Sequence, residues 1–222
     1  MEQVLHAPTH ERVGIVCIGA FNPRIFQPAW FSSQGLIAAD EAAESDVQII
    51  NNDVCIFSTS WFRLESINNR VSISSLSTPV FEMLRDLTLG TFAALKHTPI
   101  ERVGLNSNAD FEMPNQQAYE KIGHELAPKP IYWAPVMSDP RTLSLTVVSE
   151  RPDKQQGHVK VTVGPSSEVA NGLHLEVNDE FHCPPESPSS EWFTKLLTSD
   201  WDTHRARVRQ IQSNVIDRAW EL

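Results

Sequence analysis

Apolar residues along this chain recur at two spacings, every second residue in some stretches and every third or fourth in others. Val13-Gly14-Ile15-Val16-Cys17-Ile18 is a short uninterrupted apolar run, the pattern of a strand buried on both faces. Gly19-Ala20-Phe21-Asn22-Pro23 then predicts a turn, and Gln27-Pro28-Ala29-Trp30-Phe31 starts a helix with Pro28 in its first turn. Residues 40–44 carry Ala and Glu and predict a second helical turn. Val47, Ile49, Val54, Ile56, Phe62 and Leu64 alternate with polar residues. Asn68-Asn69 separates two such runs, so residues 55–66 and 70–76 predict a hairpin.

Ser77-Thr78-Pro79 opens a helix over 79–96 with a hydroxyl ahead of proline. Its apolar residues, Phe81, Leu84, Leu87, Leu89, Phe92, Ala93 and Leu95, cover more than one stripe, so this helix should lie in the core. A strand from Ile100 to Met113 follows, Pro114-Asn115 stops it, and residues 116–126 form a short amphipathic helix using Tyr119, Ile122 and Leu126. Pro128, Pro130, Pro135 and Pro140 mark a linker. Beyond it, residues 143–148, 159–163 and 173–177 alternate as three strands, and Pro184-Pro185 closes the last. Trp201, Val208, Ile211, Val215 and Ala219 give a terminal helix over 188–220 one buried face.

Alternating strands followed by long helices define an α+β class, antiparallel sheet with the helices packed on one face. Strands at 46–76 with a helix at 79–96, then strands at 141–183 with a helix at 188–220, suggest a tandem β-β-β-α duplication sharing one sheet. The expected organisation is an N-terminal half (1–127), a Pro-rich linker (128–140) and a C-terminal half (141–222), packed as one unit.

The formal net charge is −10, which argues against a large nucleic-acid footprint. Cys17, Cys55 and Cys183 are odd in number and far apart, so a reducing compartment, the cytoplasm, is expected rather than a disulfide framework. No apolar segment has membrane-spanning length, and the first residues lack a signal-peptide pattern.

Candidate chemistry is sparse. The apolar strand leading into Gly19-Ala20-Phe21-Asn22-Pro23 resembles nucleotidylyltransferases, which place a G-x-F-[DN]-P turn after their first strand. The resemblance implies nucleotide contacts at Gly19, Phe21, Asn22 and Pro23, and Ile73 to Thr78 loosely echoes a later segment of that family. The two histidines that the family spaces H-x-G-H have no counterpart in residues 25–29. His174, Glu180 and His182 share one face of an extended strand, with Asp179 and Cys183 beside them. They could hold a metal if the strand bends or a second segment contributes; a solvated strand face is the plainer reading, and neither metal nor cofactor is expected. There is no G-x-S-x-G, H-E-x-x-H, C-x-x-C or Walker-type loop, so no catalytic residue is assigned. Arg205, Arg207, Arg209 and Arg218 form a cationic stretch, either a docking face for an acidic partner or a solvated face balanced by Asp200, Asp202 and Asp217. Arg85-Asp86, inside an apolar helix, must pair or reach solvent.

Residues 19–30, 81–95 and 98–105 together resemble uncharacterised bacterial proteins of similar length carrying the G-A-F-N-P turn, a resemblance that implies a bacterial origin and no particular activity. The expectation is a non-catalytic interaction subunit or regulator of a bacterial multi-protein system such as defence or toxin control. Its partner would be another protein or a second copy of itself, bound through the sheet face or the terminal helix. The alternatives are a nucleotide-binding enzyme built on the Gly19–Pro23 turn and an acidic inhibitor of a nucleic-acid-binding protein.

Overall fold

The computed structural model describes residues 6–76, 80–130, 132–184 and 189–221. Among these residues nine strands form one sheet: β1 (His10–Gly19), β2 (Asp46–Ile50), β3 (Val54–Ser58), β4 (Phe62–Ile67), β5 (Arg70–Ser75), β6 (Ile100–Glu112), β7 (Leu145–Glu150), β8 (Gly157–Pro165) and β9 (Gly172–His182). Their spatial order is β2-β3-β4-β5-β1-β6-β9-β8-β7, and every neighbouring pair is antiparallel. The helices are α1 (Pro28–Ser33), α2 (Ala39–Ala43), α3 (Phe81–Ala94), α4 (Gln116–Leu126) and α5 (Ser190–Trp220). This is the α+β architecture that the alternation implies.

The element order runs twice through a leading strand, one or two short helices, a run of hairpin strands and a long helix, with β2 an additional strand in the first run that has no counterpart in the second. β1, α1, α2, β3-β4-β5 and α3 run in the same order as β6, α4, β7-β8-β9 and α5. β1 and β6 pair with each other, and each has its own hairpin strands on its outer side, β5-β4-β3-β2 beyond β1 and β9-β8-β7 beyond β6. The proline-rich residues 128–140 lie between α4 and β7 in the chain.

Alternation decides which side of the sheet is dry. Ile15 lies opposite Ile73 and Leu105, Leu64 opposite Ile73, and Val177 opposite Ser107 and Val161, all pointing to the helical side. α3 packs on β1 and β5, while α5 crosses β6 and β9 and also touches α3 and α4. The larger core, around Phe31, Phe57, Phe62, Leu84, Phe92 and Phe193, lies under α1, α3 and the start of α5. A second cluster, around Phe111, Ile122, Leu175 and Ile216, lies under α4 and the end of α5. Among the described residues the opposite face has no helix on it.

Two local expectations are corrected. β1 is not buried on both faces: Val13, Ile15 and Cys17 are buried, but Gly14, Val16 and Ile18 face the uncovered side and are half-buried. Residues 55–66 are two strands, because the Thr59 hydroxyl accepts from the Trp61 and Phe62 amides (3.4 Å each) and folds the chain back there. The hairpin at Asn68-Asn69 forms between β4 and β5, with Asn68 at φ 50°. Arg85 and Asp86 pair at 2.8 Å on the solvent side of α3, Asp86 being 63% exposed, so the charges escape the core. The helix opener Ser77-Thr78-Pro79 and Pro185 of the strand stop lie outside the described residues.

Candidate functional site

The helix-free face is lined by the alternate residues of each strand, and in the middle these are polar. Asn178 of β9 donates through Nδ2 to Asn106 Oδ1 of β6 at 2.6 Å. At one end of that row the Asp110 carboxylate, almost fully buried, accepts from Ser166 (2.7 Å) and lies 3.0 Å from His174 Nδ1. At the other end Glu180 lies 2.7 Å from His182 Nε2 and 4.0 Å from both His158 Nε2 and Arg102 Nη1.

Strand register explains the second group. His158 of β8 is the cross-strand partner of Glu180, and His182 lies two residues further along β9, on the same face. Donor atoms of His158, Glu180 and His182 all lie within 4.8 Å of one another. The imidazole planes are nearly perpendicular, at 88°. His174, expected to join this group, instead sits beside Asp110. Asp179 points through the sheet to the helical side, and the Cys183 thiol is buried. His158, which the β9 pattern alone could not supply, takes the place of His174.

On the helical side a charged network ties α5 to the sheet. The Asp179 carboxylate, fully buried, receives Arg151 and Arg207, and lies 3.1 Å from His204 Nδ1. Asp153 binds the same two arginines. The Arg151 guanidinium, also fully buried, lies over the Phe181 ring, 3.5 Å from its centroid. Burial alone would push the Asp179 carboxyl up; the hydrogen bond from His204 and the charges of Arg151 and Arg207 outweigh it and hold it below the ordinary value. Burial depresses His204 despite its hydrogen bond to Asp179, so this imidazole is neutral and its Nδ1–H donates to the carboxylate.

That network accounts for part of the arginine stretch. Arg207 faces Asp179, while Arg205 lies 3.4 Å from the centroid of the Phe81 ring and 3.7 Å from Glu82. Arg209 shares a small crevice with Arg205 and Glu11. Burial raises the Glu11 carboxyl against the opposing pull of both arginines. Arg218 makes two hydrogen bonds to Glu125, at 2.9 and 3.0 Å. The ion-pair partners of these arginines are Glu82, Asp153, Asp179 and Glu125 from other elements, with Glu221 at the end of α5 also on Arg218, and Asp202 adds only a longer-range pull on Arg205.

The Gly19–Pro23 turn uses its polar groups internally. The Gly19 amide donates to Asn69 O (2.9 Å) and that of Ala20 to Pro99 O (3.1 Å), and a Cβ on Gly19 would meet Pro99 O at 2.1 Å. The Asn22 side chain accepts from the Arg24 amide and caps a single 3₁₀ turn over Pro23–Ile25. Phe21 packs against Phe26 and Phe92.

Two other features face solvent. A cleft of about 330 Å³ lies between α4, residues 139–142 and the ends of β7, β8 and β9. Inside it Lys129 donates to Gly123 O and Thr142 Oγ1, and burial lowers its pKa. The exposed apolar residues concentrate at the sheet edges. Val47, Ile49 and Ile50 are on β2, and Leu143, Val147 and Val148 are on β7 or just before it. Tyr132, Trp133, Val136 and Met137, in the segment leading to β7, are exposed as well.

No helix among the described residues is long and apolar enough to cross a membrane. No protein-family model matches the chain, and a comparison with curated proteins gave no match.

Proposed function

We propose that this protein is a non-catalytic interaction subunit that recruits a partner protein by strand addition along β7. One observation carries the reading: β7 is a regular edge strand, paired residue for residue with β8, and its outer side is lined by valines more than half exposed on both faces. Edge strands are ordinarily blunted by charges, prolines or bulges, because their free N–H and C=O groups template pairing. β2 carries such protection, a register break between Val47 and Ile49 with Asp46 and Glu44 close by. β7 has none along its length except Glu150 at its end. The helix-free face is less suited to docking by burial, since its central polar side chains already hydrogen-bond one another. An extended partner segment would gain backbone hydrogen bonds from β7 and apolar contact from Val147, Val148 and the exposed residues 132–137. A subunit of a bacterial multi-protein assembly working in the cytoplasm fits this chemistry, and a second copy of the chain is one form the partner can take.

The test is purification from the native host of the wild type, a Val147→Lys/Val148→Lys variant and an Ile49→Lys control, with size measured by light scattering and bound proteins identified. The expected result is a complex that the β7 variant loses and the β2 variant keeps. A monomer that turns over a nucleotide, or a complex indifferent to the β7 lysines, contradicts the reading.

A further inference from the structure

We propose that His158, Glu180 and His182 form a binding site for one divalent ion of the zinc class on the helix-free face. The proposal is independent of the β7 docking reading, since it rests on β8 and β9 side chains and makes no use of a partner. Two imidazoles and one carboxylate are the donor set that borderline ions such as Zn²⁺ prefer over Mg²⁺ or Ca²⁺. Tetrahedral zinc with bonds of about 2.0–2.1 Å places its ligand atoms roughly 3.3 Å apart. The three donors here, already within 4.8 Å of one another, reach that spacing by small side-chain rotations.

The backbone that carries them is set in advance. β8 and β9 pair continuously from Gly157–Phe181 to Pro165–Leu173, and the His182 amide donates to Gln156 O at 3.0 Å. His158 and His182 therefore approach Glu180 from different positions, one across the ladder and one along it. Side-chain exposures of 34%, 23% and 39% leave a route for an ion and room for a fourth ligand, water or a donor from another molecule.

Without an ion, His182 and Arg102 share Glu180 Oε1. Binding replaces the His182 hydrogen bond with two bonds to the metal, and both imidazoles bind in their neutral form. Arg102, 4.0 Å from the same carboxylate, competes with the ion for it, so removing its charge strengthens binding.

The full chain, stripped with EDTA and dialysed, is titrated with Zn²⁺ by calorimetry and with Co²⁺ by visible absorption. The expected result is one ion per chain, with cobalt ligand-field bands and no thiolate charge-transfer band, because the Cys17, Cys55 and Cys183 thiols are buried and none of them joins the His158–Glu180–His182 donor cluster. His158→Ala and His182→Ala each weaken binding at least about tenfold, and Arg102→Ala tightens it. The metal-free melting temperatures of the histidine variants stay near that of the wild type, since both side chains are partly exposed. Absence of a saturable ion, a thiolate band, or affinity unchanged in the His158→Ala/His182→Ala double variant overturns the proposal.

Discussion

Asp179→Ala destabilises the fold by about 3–5 kcal/mol, read as a fall in the urea midpoint with little change in slope. Asp179 is fully buried, and so is the Arg151 side chain that it neutralises. Removing the carboxylate leaves Arg151 and Arg207 with Asp153 as their remaining acidic partner in the network, and takes from His204 its hydrogen-bond acceptor. A buried charge that loses its partner costs far more than the pair ever contributed. Because domains are stable by only about 5–15 kcal/mol, this single change consumes a large part of the margin. It also removes the polar tie between α5 and β9, since Arg207 and His204 are the α5 side chains that Asp179 holds, and leaves their apolar packing to hold the two together.

The same network sets the acid limb of stability. His204 has its folded pKa depressed below 6.5, so folded and unfolded chains are both neutral there above that pH. As pH falls below 6.5 the unfolded chain takes up a proton that the folded chain refuses, and stability declines. Asp179, also depressed, contributes stability that is present above its unfolded value of about 3.9 and lost as pH falls through its lower folded value. Denaturation at a series of pH values should therefore show two separate losses. His204→Gln removes the first and leaves the second.

Phe31→Ala costs about 3–5 kcal/mol and detaches the first connecting segment from the sheet. Phe31 is fully buried, with ring centroids 5.0 Å from Trp30, 5.8 Å from Phe57 and 6.4 Å from Phe62. α1 has six residues, too few to persist on propensity, so its helical state depends on this packing. Thermal unfolding should fall by several degrees, and proteolysis should begin between residues 23 and 45 before the sheet opens. Unchanged stability would mean that the ring has room to be replaced by neighbours.

Much of the fold was legible because the sheet is wetted on one side. Alternation at Leu173, Leu175 and Val177, or at Val159, Val161 and Val163, marks strands with a single dry face, and the spacing of Val208, Ile211 and Val215 marks the helix that covers them. β1 misled, since Val16 and Ile18 are apolar on the uncovered face and make a half-exposed central strand resemble a fully buried one. β1 and β6 were each visible as strands, but their patterns differ, and only the fold shows that they pair with each other in the middle of the sheet.

The candidate sites were half legible. Glu180 and His182 share a face by alternation, but His158 enters through the β8–β9 register, with the hairpin turning around residue 169. Counting outward from that turn places 158 against 180; the mixed stretch Ser166-Ser167-Glu168-Val169-Ala170-Asn171 does not by itself say where the turn is centred. Arg151 and Asp153 bond to each other across two residues, but the sites they and His204 share with Asp179 and Arg207 are brought together only when the β7–β8 loop meets β9 and α5 folds onto the sheet. The arginine stretch was visible, and its partners Asp179, Glu82 and Glu125 were not. The apolar edge of β7 was plain as a strand; that it is an edge follows from strand order alone.

Amide hydrogen exchange, compared between the isolated chain and its complex from the native host, bears most directly on the account. Partner binding through β7 predicts new protection over residues 143–150, extending into 132–137, with the other strands unchanged. Protection confined to the helix-free face around residues 102–110 and 174–182, or to the 19–23 turn, with β7 exchanging as freely as before, contradicts it.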